Sequence, residues 1–230
     1  MTISVIKIRA PIRFADALQM QHSQAAELEQ CSQRLAKLFL LQHTPVFTLG
    51  RKTEKAHLPR DINNLVTRTG AEIIEAHRGG SVTYHGPGQL IAYLLLNLRV
   101  WNITIHQHLD MLEAVAINTL ARFGIQGRRE PGMTGVWVEN LPGSSEKICA
   151  IGVGARRWIT YHGLSLNVEL DLQPFSEIIP CGLAGKRVTS MARVLARSVS
   201  INAVETAMIA TFGEVYDAKI ETISYHATKK

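Results

Sequence analysis

Arg78-Gly79-Gly80-Ser81-Val82-Thr83-Tyr84-His85-Gly86-Pro87-Gly88-Gln89 restricts the fold of this chain more than any other stretch. Four of its twelve residues are glycine and one is proline. Proline lacks an N–H and fixes φ, so Gly-Pro-Gly cannot be the interior of a central strand. Glycine permits positive φ and lets another molecule approach the backbone without meeting a Cβ. Ile73 and Ile74 precede the run, and a strand-like segment from Leu90 to Leu98 follows it. The run has neither the Gly-Lys-Ser/Thr of a phosphate loop nor a G-x-G-x-x-G opening a helix. Two readings stand on these residues: a glycine-rich turn between strands, or a backbone loop that faces a ligand.

Periodicity supplies the rest of the outline. Residues 3 to 8 read as a first strand. Between Ala15 and Gln42, the residues Leu28, Cys31, Leu35 and Leu38 recur at steps of three and four. That spacing predicts one amphipathic helix with Cys31 as a small core residue. His43-Thr44-Pro45 stops it, Val46 to Gly50 is a strand and turn, and a short helix is expected near Asp61 to Val66. Thr104 and Gln107 have capping-box spacing, ahead of a helix whose apolar side is Leu109, Leu112, Ala116, Leu120 and Phe123, closed by Gly124. His106 and His108, near its start, are expected in solvent. Strand runs follow at 135–138, 148–153, 158–161 and 164–170, the first two joined by a turn at Pro142-Gly143-Ser144-Ser145. Arg187-Val188 reads as a short strand before a short helix, and Ser200 caps a last helix carrying Val204, Ala207, Met208 and Phe212. Strand runs often succeed one another with no helix between. A single α/β domain over residues 1–230, a mixed sheet packed with helices, is therefore expected over a doubly wound parallel fold.

Charge and cysteine usage narrow the function classes. At 230 residues and 46% hydrophobic, the chain can bury one sizeable core. No apolar run is long enough to span a membrane, and Met1 to Pro11 has no secretory h-region. Three cysteines without CxxC spacing point to a reducing, cytoplasmic setting. The formal charge is +6, but the basic residues are scattered and aromatics are only 6%. That pattern argues against a nucleic-acid surface and is compatible with an acidic protein partner. No H-E-x-x-H or Cys/His cluster is present, so no metal site is expected.

Five residues invite chemistry. Cys181, between Pro180 and Gly182, is displayed on a turn, either as an inert thiol or as a nucleophile activated by a neighbour. Lys147 opens the strand-like run Ile148 to Val153. It is either a solvated lysine or an amine whose pKa falls beside apolar neighbours, able then to exchange a proton with a thiol. Cys149, two residues along the strand, shares a face with Lys147 and competes as nucleophile. His85 and His162, each in a Tyr-His-Gly triplet, are structural histidines or orient a substrate.

Taken together, the blocks resemble the lipoyl (octanoyl) transferases, acyltransferases of lipoate biosynthesis. The resemblance is carried by Arg78 to Gln89, by Glu146-Lys147-Ile148-Cys149-Ala150-Ile151-Gly152, by Tyr161-His162-Gly163-Leu164-Ser165-Leu166-Asn167-Val168, and by Ile179-Pro180-Cys181-Gly182. They fall in family order within about residues 46 to 190. The resemblance implies the catalytic domain shared with biotin and lipoate protein ligases. It also implies transfer of octanoyl from octanoyl-acyl carrier protein to a lysine of apo lipoyl domains, without a cofactor. Those acceptors belong to 2-oxoacid dehydrogenase complexes and the glycine cleavage H protein; neither nucleic acid nor membrane is implied, and a monomer is expected. Cys181 would carry the acyl group as a thioester and Lys147 would lower its pKa and move the proton. Arg78, Gly79, Gly80, Ser81, Val82, Thr83, Tyr84, His85, Ala150, Ile151, Gly152, Gly163, Leu164 and Ser165 would line the acyl groove, whose glycine edges admit an aliphatic chain. Glu139 to Glu146 is longer than usual before the lysine, and Ala92-Tyr93-Leu94 lacks a proline often found after that tyrosine. An ATP-dependent lipoate or biotin ligase is the nearest alternative, since it too uses a lysine on this strand; Pro-Cys-Gly and His-Gly-Pro-Gly-Gln favour the transferase. A non-catalytic basic module for nucleic acid would need the clustered basic stripe this chain lacks.

Overall fold

Apolar alternation builds one large sheet, and its two faces decide where the helices go. The computed structural model describes residues 1–59, 61–141, 143–179 and 185–223. The chain runs β1 (Thr2–Lys7), α1 (Phe14–Glu29), β2 (Leu35–Leu41), β3 (Val46–Leu49), α2 (Ile62–Thr69), β4 (Glu72–Glu75), β5 (Thr83–His85), β6 (Gln89–Leu96), α3 (Leu98–Trp101) and α4 (Ile105–Ala121). It continues through β7 (Arg128–Glu130), β8 (Met133–Leu141), β9 (Ser144–Arg156), β10 (Ile159–Asn167), β11 (Arg187–Val188), α5 (Met191–Leu195), α6 (Ile201–Val215) and β12 (Lys219–Ile223). The large sheet has the order β12-β1-β2-β6-β10-β9-β8-β7, with β11 also paired to β9, and a smaller sheet has the order β4-β3-β5. β12, β1 and β2 are parallel, whereas β2, β6, β10, β9 and β8 alternate in direction. This is the mixed α/β architecture that the adjacent strand runs predict.

Every residue of β6 is buried, as a central strand covered on both sides requires. Leu90, Ala92, Leu94 and Leu96 join the main core with Leu112 and Ala116 of α4 and Met208 and Phe212 of α6. Ile91, Tyr93 and Leu95 face the other way, toward Ala17 and Leu28 of α1. β6 and β10 approach closely: a Cβ on Gly163 would lie 2.2 Å from the Ala92 carbonyl oxygen, so glycine alone fits there. The α4 cap forms as its spacing predicts, with the Thr104 hydroxyl accepting from the Gln107 N–H and Gln107 Oε1 accepting from the Thr104 N–H at 2.8 Å. Among the described residues, no helix is long and apolar enough to cross a membrane.

Two expectations need correction. The stripe assigned to a single helix falls on separate elements: Leu28 is in α1, Leu35 and Leu38 are in β2, and Cys31 lies half-buried between them. β2 is apolar at nearly every position because both its faces are covered, and such a run imitates a helical repeat. His108 is fully buried, not solvated, with its Nδ1 3.0 Å from the Tyr216 hydroxyl. The turn residue Pro142 lies outside the described residues.

Candidate active site

A one-residue irregularity in β9 decides which side chains face the glycine-rich loop. Val136 pairs with Cys149 but Trp137 pairs with Lys147, which leaves Ile148 as the extra residue of a β-bulge. Ile148 and Cys149 both enter the main core. Lys147 is thereby turned to the side of Ala150 and Gly152, positions that a regular two-residue repeat would have set on the opposite face. Cys149 and Lys147 accordingly do not share a face. Cys149 is completely buried, and desolvation pushes its thiol up to about 12. Lys147 is 6% exposed; its ammonium donates to the Thr134 carbonyl at 3.0 Å and stands 4.7 Å from the centre of the Trp137 ring.

The glycine-rich run folds over this strand. The Gly79 N–H donates to the Val153 carbonyl at 3.1 Å, and a Cβ on Gly152 would lie 3.0 Å from Arg78 Cδ. Arg78, Gly79, Gly80, Ser81, Thr83 and His85 line a cavity of about 40 Å³ together with Ala150, Ile151, Gly152, Gly163, Leu164 and Ser165. Phe14, Tyr93 and His162 complete its wall. Gly79, Gly80, Ser81, Ile151 and Gly152 also line a neighbouring groove of about 430 Å³ that takes in Lys147. Val82 and Tyr84 are elsewhere: strand alternation in β5 turns them into the core of the small sheet with Phe47 and Phe175. Cys181 lies outside the described residues, as do Pro180 and Gly182.

A hydrogen-bonded chain beneath the cavity fixes the state of His85. Asn167 Nδ2 donates to the Thr189 carbonyl, and Gln89 Nε2 donates to Asn167 Oδ1, at 2.9 and 2.8 Å. Gln89 Oε1 then accepts from His85 Nδ1 at 2.7 Å, which leaves His85 Nε2 as the acceptor for the Thr48 hydroxyl at 3.3 Å. Arg78 Nη2 closes the series, donating to the Thr48 hydroxyl at 2.8 Å and the Thr48 carbonyl at 2.7 Å. Each member has its partner only if His85 is neutral with its proton on Nδ1. Burial, then the neighbouring His43 and Arg78, hold its pKa well below the usual histidine range. The Thr189 N–H donates to the Lys147 carbonyl at 2.9 Å, so this chain also ties the loop to the lysine's strand.

His43 and His162 are held neutral by burial. His43 donates from Nδ1 to the Ile12 carbonyl and accepts at Nε2 from the Tyr93 hydroxyl at 2.8 Å. His162 has φ +62°, and its N–H donates to Gln21 Oε1 at 2.6 Å. Its ring lies 5.8 Å from that of Phe14 and 5.7 Å from that of Tyr93. Burial lowers His43 and His108 to about 4 and His162 to about 3. In the unfolded chain these groups titrate near 6.5, so below that pH the unfolded state binds protons the folded state refuses. Stability is therefore full above about pH 6.5 and is lost as the pH falls toward 4, each group adding a slope of up to about 1.4 kcal/mol per pH unit. Urea unfolding near pH 7 and near pH 5 should differ by several kcal/mol; equal stabilities would contradict neutral burial. Among the described residues, no three His, Cys, Asp or Glu side chains gather to hold a metal.

Phe14, Gln21, His43, Thr48 and Tyr93 had no local sequence signal, because they reach the site from α1, β3, β6 and the turn before β3 and not from one block. Gln89 and Asn167 stand inside the Arg78–Gln89 and Tyr161–Val168 blocks.

The mixed sheet, with the glycine-rich run folded over β9, has the fold of the lipoate and biotin protein ligases. The family profile for the lipoyl protein ligase A/B catalytic domain matches residues 13–213. An octanoyltransferase of Geobacter metallireducens is 37% identical, over 94% of this chain and 95% of its own. One of Thermosynechococcus vestitus is 40% identical over 89% and 86%. The chain belongs to the octanoyltransferase family and is an acyltransferase. In fold it is similar to a bipartite lipoate protein ligase of Thermoplasma acidophilum, with TM-score 0.75, 16% identity, and 99% and 88% of the two chains covered. A biotin protein ligase of Aquifex aeolicus aligns at TM-score 0.52 and 11% identity, over 94% and 70%.

Proposed function

We propose that this acyltransferase moves octanoyl from the thioester of acyl carrier protein to a lysine of apo lipoyl domains, through a thioester on Cys181. The bulge at Ile148 is the observation that carries this reading. It sets the Lys147 ammonium on the side of β9 that faces a groove of about 430 Å³ edged by Gly79, Gly80 and Gly152. In the first step the Cys181 thiolate attacks the donor carbonyl, the donor C–S bond breaks, and the leaving thiolate takes a proton from Lys147. In the second step a neutral acceptor amine attacks the enzyme thioester, an amide forms, and the Cys181 thiolate leaves. The amine's proton passes to Lys147, which restores the starting state. Two half-reactions of this kind give ping-pong kinetics.

The names of the relatives support the octanoyl group as cargo, and a net charge of +6 suits acidic donors and acceptors. The acceptors in this reading are the lipoyl domains of 2-oxoacid dehydrogenase complexes and the glycine cleavage H protein. A reducing cytoplasm would keep the thiol available. Purified protein, octanoyl-acyl carrier protein and an apo lipoyl domain, mixed without ATP, should yield an octanoylated lysine by mass spectrometry. A strict requirement for ATP and free acid would make the protein a ligase instead.

A further inference from the structure

His162 is anomalous among the polar groups of the inner cavity. Arg78, Ser81, His85 and Ser165 all hydrogen-bond to protein partners. Both ring nitrogens of His162 are buried with no hydrogen-bond partner, and the residue is 2% exposed. A neutral imidazole has one N–H and one lone pair, and burying both unpaired is costly. Nor is the ring there by default. Strand alternation would put His162 on the side of Leu164 and Leu166, in the main core. Its left-handed φ instead turns it to the α1 side, between Phe14 and Tyr93, and Gln21 holds the backbone there.

The ladder gives its place along the channel. His162 pairs with Val153, six positions beyond Lys147 on β9, which is about 20 Å of strand. The lysine side chain spans about 6 Å, an extended eight-carbon acyl chain about 9 Å, and a hydrogen bond about 3 Å. With the acyl carbonyl beside Lys147, as the proposed function requires, an extended eight-carbon chain laid along β9 runs toward the register of His162, and these lengths together cover most of that separation. We infer that His162 reads the far end of the acyl chain, and that the channel takes eight-carbon chains carrying a hydrogen-bonding group, such as a hydroxyl, on the terminal carbon. The inference rests on that reading for the direction of the chain.

Binding of octanoate and of 8-hydroxyoctanoate to the full chain, measured by calorimetry, tests it apart from catalysis. The wild type should bind the hydroxy acid at least as tightly as octanoate. An apolar end wall would disfavour a hydroxyl roughly tenfold or more. His162→Phe should introduce that tenfold penalty, and His162→Asn, which keeps hydrogen-bonding groups, should remove most of it. A wild type that itself prefers octanoate tenfold, or a ratio unmoved by His162→Phe, overturns the inference. Should the phenylalanine variant not fold, the wild-type ratio alone decides. Octanoyl transfer without ATP combined with a ratio indifferent to His162 defeats the inference and leaves the proposed function standing. A ratio that follows His162 in a protein unable to transfer octanoyl does the reverse, and the polar site then stands without the acyl direction assigned to it.

Discussion

Incubated with octanoyl-acyl carrier protein, the wild type and Cys149→Ser should each gain one octanoyl group by intact mass, and Cys181→Ser should gain none. Steady-state transfer by Cys181→Ser should fall by about four orders of magnitude or more, because loss of a nucleophile removes the covalent route as a unit. The case against Cys149 is structural. It is fully buried among Val136, Ile148 and Leu166, and its thiol is pushed up to about 12. At neutral pH such a thiol stays protonated, and the thiolate is the reactive form. Lys147 does lower that value, but less than desolvation raises it. Cys31, half-buried beside the end of α1, has its thiol directed at the Gln33 carbonyl and lies outside the groove lining. An adduct that survives in Cys181→Ser and vanishes in Cys149→Ser would reverse the assignment.

What could be read from the residues, and what could not, divides along physical lines. Local rules worked where the answer is local: Thr104 and Ser200 cap their helices because a hydroxyl at that spacing reaches the first free N–H groups. They failed at Leu35 and Leu38, since a strand buried on both faces has no alternation to display. At the site, Arg78, Gly79, Gly80, Ser81, Thr83 and His85 meet Ala150 to Gly152 across one cavity, and that much the family resemblance implied, Val82 and Tyr84 excepted. The bulge at Ile148 does not, because it is a property of the pairing between β8 and β9 and leaves no mark in either strand alone. His43, Thr48 and Gln21 were hidden for a related reason. A buried polar group is recognised by its partner, and these partners lie 30 to 141 positions away.

Lys147→Met should keep the fold and lose between about 10² and 10⁴ in kcat, the usual worth of a positioned proton-transfer group. Methionine retains a flexible apolar stem that can cover Trp137, so unfolding free energy should change by only about 1 kcal/mol. KM for the carrier should move little, because the lysine is buried in the groove and carrier docking depends on the outer surface. Lys147→Arg separates two roles that methionine cannot. If the ammonium merely stabilises a thiolate, a guanidinium on the same strand should restore most of the rate. If it must surrender a proton to the leaving thiol and take one from the acceptor amine, arginine should fail, since it does not deprotonate in proteins. The proton-transfer role predicts failure in both half-reactions, visible as slow acyl-enzyme formation and slow discharge when each is followed alone. Rescue by arginine to within about tenfold of wild type would reduce Lys147 to an electrostatic neighbour and require another proton carrier.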